Sequence, residues 1–434
     1  MSRPPSTTTL TVLLNGQAMG QVTRAKGGRL GFEYAEAWLT QGPGTPLSLS
    51  MPLTSARHGH KPIAAFMWGL LPDNELILQR WGQEHKVSPK DPFALLAAVG
   101  EDCPGALQFA TPDRLAKIVE SGDVQWIDEA DIASRISQLR QDAGSAGRMA
   151  SDTGQFSLAG AQPKTAYYRK GNKWGIPNGR IPTTHILKPP LPDFDGHTEN
   201  EHFCLQLANK VGLPSAKSEI VRFASETAIV IERYDRRWVG ERLVRVHQED
   251  MCQALAVDPA SKYQAQGGPG IPAIMNQVLS ASSQPSADRR NFMRAVAFNF
   301  IIGGTDAHAK NYSVLLGPQG SVRFAPLYDT ASILPYEPDI RRLKFPMKIG
   351  THYNLDEIRP RHWEHTARLS NYPAEQAVEH VRSLIEVLPD SALSVLGVCR
   401  DEGLKHPVLD KLIDAIAKRA ATLKSIYGSN EVLN

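Results

Sequence analysis

At roughly 150 residues per domain, the 434 residues of this chain predict two or three packed units and exclude a single small module. Lys and Arg number 48 and Asp and Glu 45, a net charge of +3, too near neutrality for a nucleic-acid binder that works by bulk charge. Any anion must therefore meet a local constellation, while 41% hydrophobic and 21% charged residues suit a globular chain with a sizeable core and exclude disorder throughout.

The chain opens on an alternating β-branched run, Thr7 to Leu14, followed by Asn15-Gly16, a hairpin signal. After a Gly- and Pro-rich stretch, LLPDNELILQRW predicts a helix with Asp73 as its N-cap and Leu76, Ile77 and Trp81 at helical spacing. The polar run from Arg140 to Gly154 lacks apolar periodicity and predicts a mobile connection. Beyond it come a Gly-containing loop at 157–164 and two strands, Thr165 to Tyr168 and Thr184 to Lys188, expected as a two-stranded fragment. Thr198 and Glu201 predict a capping box for a helix that Gly212 and Pro214 end. Strands around 220–223, 228–234 and 242–247 follow, and from Glu249 onward the pattern is mainly helical, clearest at Phe292 to Ile302, Ala374 to Val387 and Leu409 to Tyr427. The expected parts are a β-rich subdomain with helices at 1–145, a nucleotide-binding β-rich part at 146–248, and a helical lobe at 249–434.

Cys103, Cys204, Cys252 and Cys399 are too far apart for a CxxC or Cys/His zinc spacing and are expected as buried thiols in a reducing compartment. The first residues lack a secretory pattern, and the longest apolar run, Ala295 to Ile302, is interrupted by Asn299, so a cytoplasmic location is expected. Walker A, G-x-G-x-x-G, H-E-x-x-H and G-x-S-x-G motifs are absent.

The segment NFIIGGTDAHAKNYSVLL, 299–316, sets Asp306, His308, Lys310 and Asn311 between two apolar runs. Asp306 and Asn311 are five apart, the interval of the Asp base and the Mg²⁺-ligating Asn in a kinase catalytic loop. Asp329 follows in PLYDTAS and offers a second hard oxygen ligand. Lys188 ends an apolar strand, where an ammonium can meet phosphate oxygens. In SLAGAQPKT, Gly160, Ala161, Gln162 and Lys164 form a loop suited to approach phosphate. Glu199 and Glu201 are both candidates to orient Lys188. For the adenine, the junction RVHQEDMCQAL makes Glu249 to Met251 a candidate hinge, although an ordinary helix start at Gln248 or Glu249 reads the same way.

With SLAGAQPKTA, THILKPP, HQEDMCQAL, GGTDAHAKN and LYDTAS in order, and LLPDNE and VGEDCPGAL upstream, the chain resembles the HipA family of serine/threonine kinase toxins over nearly its full length. The resemblance implies an α+β, two-lobed protein-kinase-like fold with a β-rich N-terminal half and an all-helical C-terminal lobe. It implies Asp306 as base, Asn311 and Asp329 as Mg²⁺ ligands, and Lys188 on the ATP phosphates, helped by Lys164 and the Gly160 loop and flanked by His308 and Lys310. It further implies autophosphorylation of Ser157, which ejects the loop, a glutamyl-tRNA synthetase as target, and a HipB-like helix-turn-helix antitoxin that binds operator DNA. Pro163 departs from the family's Glu at that place and removes one N–H donor. Two other readings stay open: a catalytically silent corepressor partnered with an antitoxin, and a small-molecule kinase. Basic clusters at Arg233 to Arg237 and Arg341 to Lys344 read as solvated surface or as DNA-backbone contacts.

Overall fold

The computed structural model describes residues 8–142, 144 and 156–428. The expected connection between Arg140 and Gly154 lies outside them except for Arg140 to Asp142 and Gly144. The described residues pack as two compact units, one drawn from 8–189, 221–260 and 314–322, the other from 190–220, 261–313 and 323–428.

The two largest sheets lie mainly in the first unit. Asn15 and Gly16, at φ 50° and 83°, make the tight turn between Thr9–Leu14 and Gln17–Arg24, as hairpin twist requires. Those strands sit in a five-stranded sheet in the order Arg57–His58, Leu30–Tyr34, Gln17–Arg24, Thr9–Leu14, Leu107–Ala110. Its apolar face, with Leu10, Val12, Val22 and Phe32, shares a core with Phe66, Trp81 and Phe93 from the helices that follow. The helix expected after Asp73 runs Glu75–Glu84, and its N-cap is Asn74, whose side chain accepts the Leu76 N–H at 2.9 Å. Asp73, one residue before the cap, donates its backbone N–H to the Gly160 carbonyl at 3.1 Å. Leu76 is exposed, and the buried stripe is Ile77 and Trp81.

The strands expected as a two-stranded fragment belong to a six-stranded sheet, in the order Ser218–Phe223, Glu226–Glu232, His185–Lys188, Thr165–Lys170, Lys173–Pro177, Val124–Ile127. Its far edge comes from well upstream of Thr165, a pairing that local periodicity does not encode. Most of the basic cluster after this sheet is not solvated: Arg237 is exposed, but its neighbours are taken inside. Arg233 and Arg236 are buried together with Arg245, bonded to Asp102 and Asp235. Burial alone would raise the Asp102 carboxyl, but the three guanidinium groups and Thr183 outweigh it and hold it well below the usual carboxylate range.

The second unit is built on helices His197–Lys210, Pro285–Ile302, Pro360–Leu369, Ala374–Asp401 and Pro407–Tyr427, with a small hairpin, Lys344–Ile349 and His352–Asn354. The expected capping box is not formed: the first of these helices starts at His197 behind Gly196, and Thr198 donates to Glu199 instead. Gly196 stands at φ 73°, and a Cβ there would lie 2.4 Å from the His406 ring, so packing sets this helix start. The helix expected to end at Val387 continues through Pro389 to Asp401, because its far half buries Ala392, Val395, Leu396 and Cys399. Phe300 and Trp363 meet edge to face, and Trp363 Nε1 donates to the Tyr427 hydroxyl at 2.9 Å in the core of the unit. Arg341 and Arg342 are exposed and paired with Asp339 and Glu337, so two of the three charges of that basic cluster are answered locally. Among the described residues no helix is long and apolar enough to cross a membrane.

Candidate active site

In the first unit the candidate phosphate loop is packed from behind. Phe156 and Leu158 are buried with Ala166, and between them Ser157 is fully buried: its Oγ donates to the Leu70 carbonyl at 2.7 Å and its N–H to the Asp102 carbonyl at 2.9 Å. Gly160 follows at φ 102°, and a Cβ there would also come within 2.6 Å of Lys164 Nζ. The backbone conformation requires glycine, and the open side of Gly160 is where the Lys164 ammonium folds over the loop and donates to the Ala159 carbonyl at 2.6 Å. Gln162 Nε2 reaches the Pro189 carbonyl at 3.4 Å, and Ala161 between them is exposed. Pro72, Ile77, Trp81, Leu158, Gly160 and Lys164 line a small pocket beside the loop.

Lys188 is buried at the end of its strand, aligned with Ile229 of the neighbouring strand. The candidate hinge begins as a strand, His247–Asp250, and only then becomes the helix Met251–Ala254, where Asp250 and Gln253 form a capping box. The alternative start at Gln248 or Glu249 is therefore not adopted. Met251 is buried, and Glu249 is buried with its Oε1 accepting the Leu49 N–H at 2.8 Å. Burial, which outweighs that bond, pushes the Glu249 carboxyl up to about 8.

The second unit holds the carboxylates. Helix Pro285–Ile302 ends on Gly303 at φ 71°, and Gly304 follows where a Cβ would strike the Asn299 side chain at 2.4 Å. This pair of glycines turns the chain sharply into Asp306. The Asp306 side chain is 70% exposed, and its Oδ1 accepts the Tyr263 hydroxyl at 2.6 Å. His308 Nε2 lies 3.6 Å from the same oxygen, and the buried His308 ring meets the Tyr263 ring edge to face at 4.9 Å. Asn311 closes the loop by donating Nδ2 to the Asp306 carbonyl at 2.7 Å, so its amide oxygen is the atom suited to a cation. Lys310 is buried, and its carbonyl accepts the Tyr328 hydroxyl at 2.7 Å, which also lies 2.6 Å from Ser313 Oγ. That clasp sets Asp329 beside the loop, at φ 48° in the left-handed region that a non-glycine residue seldom enters.

The fold thus gathers Asp306, His308, Lys310, Asn311 and Asp329 within one unit, and Ser157, Gly160, Ala161, Gln162, Lys164, Lys188, Glu249 and Met251 within the other. Sequence reading missed Tyr263, which lies 43 residues before its partner in no motif, and Tyr328, whose place beside Asp329 was its only signal. An exposed carboxylate held by a phenol, in the same unit as the oxygen donors of Asn311 and Asp329, is equipped to take a hydroxyl proton beside a bound divalent cation.

A family model described as the HipA-like C-terminal domain matches residues 156–392, and the HipA N-terminal domain matches residues 10–110. The chain is 34% identical over 421 residues to the putative kinase Y4mE of Sinorhizobium fredii, covering 96% of this chain and 98% of that protein. It is 29% identical to the serine/threonine-protein kinase toxin HipA of Shewanella oneidensis over 348 residues, 76% of each. In structure it superposes on a chain of the Shewanella oneidensis HipA, HipB and operator DNA complex with a TM-score of 0.83 at 22% identity, covering 98% of this chain and all of that one.

Proposed function

Because the chain belongs to the HipA family, we propose that it is an ATP- and Mg²⁺-dependent serine/threonine protein kinase that acts as the toxin of a toxin–antitoxin pair. The observation that carries the proposal is the Asp306 loop: an exposed carboxylate held by Tyr263, closed by Asn311 and clasped through Tyr328 to the segment of Asp329. Asp306 takes the proton of the incoming hydroxyl, and Tyr263 keeps the carboxylate oriented for it. Asn311 and Asp329 supply oxygen donors that fit Mg²⁺, and the ion would neutralise charge on the transferring phosphoryl group when bound. Lys188 holds nucleotide phosphate, Lys164 and the Gly160 to Gln162 backbone assist it, and the backbone of Glu249 to Met251 receives the adenine. His308 and Lys310 flank the transfer site and keep the loop in shape through their burial.

The target we propose is a protein serine or threonine, with a glutamyl-tRNA synthetase the first substrate to test. The Shewanella oneidensis chain that this one superposes on belongs to a complex of HipA with HipB and operator DNA, which supports a HipB-like antitoxin as partner and DNA contact mainly through it. The test is incubation of the full chain with labelled ATP and Mg²⁺, alone and with the synthetase, followed by mapping of phosphosites. Asp306→Asn should abolish transfer yet leave ATP binding measurable, and should relieve the growth arrest expected when the chain is expressed without antitoxin. Activity within a fewfold of wild type would remove Asp306 from the role of base.

A further inference from the structure

The spacing of the four cysteines speaks only of local zinc motifs, and the fold brings one of them to donors from a distant helix. His202, in the middle of helix His197–Lys210, and Cys399 and Glu402, one turn apart at the end of helix Ala374–Asp401, present their ligand atoms within 4.8 Å of one another. His202 and Cys399 are fully buried, and Glu402 is 44% exposed. The two helices pack together within the second unit, away in sequence from the Asp306 loop.

We propose that His202, Cys399 and Glu402 form a zinc site that joins these two helices. A tetrahedral zinc with bonds of about 2.0 Å to nitrogen and about 2.3 Å to sulfur sets its donors roughly 3.5 Å apart. His202 Nε2 and Glu402 Oε2 already stand 3.2 Å apart, so the sulfur is the donor that has to close in, by about an ångström at most. The other ring nitrogen of His202 is fixed by Ser218 Oγ at 2.9 Å, the kind of outer contact that orients a ligating imidazole. A hydroxyl serves here in both states. It donates to Nδ1 while Nε2–H is bonded to Glu402, and it accepts from Nδ1–H once Nε2 is given to the metal.

Charge points the same way. Zinc binding moves the Cys399 proton to water, and thiolate plus carboxylate then cancel the two charges of the ion, leaving a neutral group where two of three ligands are buried. One sulfur and one imidazole nitrogen select zinc over magnesium, which prefers oxygen alone. The site is therefore distinct from the Mg²⁺ ligands proposed at Asn311 and Asp329. Glu402 leaves a solvent-facing side through which the ion can arrive and a water can bind as fourth ligand.

The probe is Zn²⁺ alone, added to metal-stripped full-length protein, followed by dialysis and metal analysis. One zinc per chain is expected, retained against millimolar Mg²⁺, together with a rise in thermal midpoint. Co²⁺ in its place should give a near-ultraviolet thiolate charge-transfer band. Cys399→Ser should remove the band, Glu402→Gln, at a partly exposed position that keeps the fold, should lose the midpoint rise, and Ser218→Ala should weaken affinity by about tenfold. No bound zinc, Co²⁺ loading without the thiolate band, or unchanged stoichiometry and midpoint shift in Glu402→Gln and Cys399→Ser would overturn the proposal.

Discussion

Glu249→Gln tests whether a buried carboxyl in the candidate hinge strand is protonated at neutral pH. The carboxyl is 1% exposed, and burial raises it from an ordinary 4.5 to about 8. Its folded value is above its unfolded value, so folding takes up a proton between those limits. Its favourable contribution is complete below about 4.5 and is lost as pH rises towards 8. At about 1.4 kcal/mol per pH unit, that loss amounts to roughly 4–5 kcal/mol. Glutamine keeps an oxygen for the Leu49 N–H and places an N–H where the acid O–H stood, but it does not titrate. The assay is urea unfolding at pH 5 and pH 8, followed by tryptophan fluorescence, since six of the seven tryptophans lie in the unit that holds Glu249. Wild type should lose several kcal/mol more than the variant between the two pH values. ATP affinity of the variant should stay within a fewfold, because the adenine contacts proposed at this strand are to its backbone. Parallel stability curves, within about 1 kcal/mol, would refute a raised Glu249 and with it the claim that the strand is sealed from water.

Asp329→Ala deletes an anionic oxygen from the proposed cation, so calorimetry should show a clear loss of MgATP affinity with little change in Mg²⁺-free ATP binding; unchanged MgATP affinity would move the metal elsewhere. Ser157→Asp places a charge where Ser157 Oγ is fully buried against the Leu70 carbonyl, and the phosphorylated form carries about −1.5 to −2 charges. The loop has to leave this seat, so ATP affinity should fall and limited proteolysis near 157–164 should rise, whereas Ser157→Ala should keep affinity and lose the phosphosite; equal affinities in all forms would end the switch. Asp102→Asn strips one of two carboxylates from three buried guanidinium groups and should cost about 3–5 kcal/mol in urea unfolding. Since the Asp102 carboxyl is depressed, its contribution should persist above its ordinary 3.8 and fade only as pH falls below that.

The sequence alone determined whatever is carried by neighbours along the chain. The Asn15-Gly16 hairpin, the helices about Phe292, Ala374 and Leu409, and the order of motifs that marks the HipA family are all local, because turn dihedrals, a 3.6-residue period and motif spacing are written within a few residues. The glycines at 160, 303 and 304 were legible as a loop and a turn for the same reason. Only tertiary structure decided where ends and partners fall. The cap expected at Asp73 falls on Asn74, with Asp73 bonded to distant Gly160, and the helix expected to start at Thr198 starts at His197 behind Gly196, which packs on His406. Arg233 and Arg236 read as surface charge until Asp102, more than a hundred residues away, took them inside. The same holds for Tyr263 on Asp306 and for His202 beside Cys399: a hydrogen bond or a ligand set formed across 43 or nearly 200 residues leaves no mark in local spacing, since its energy exists only once the core has closed and brought the groups together.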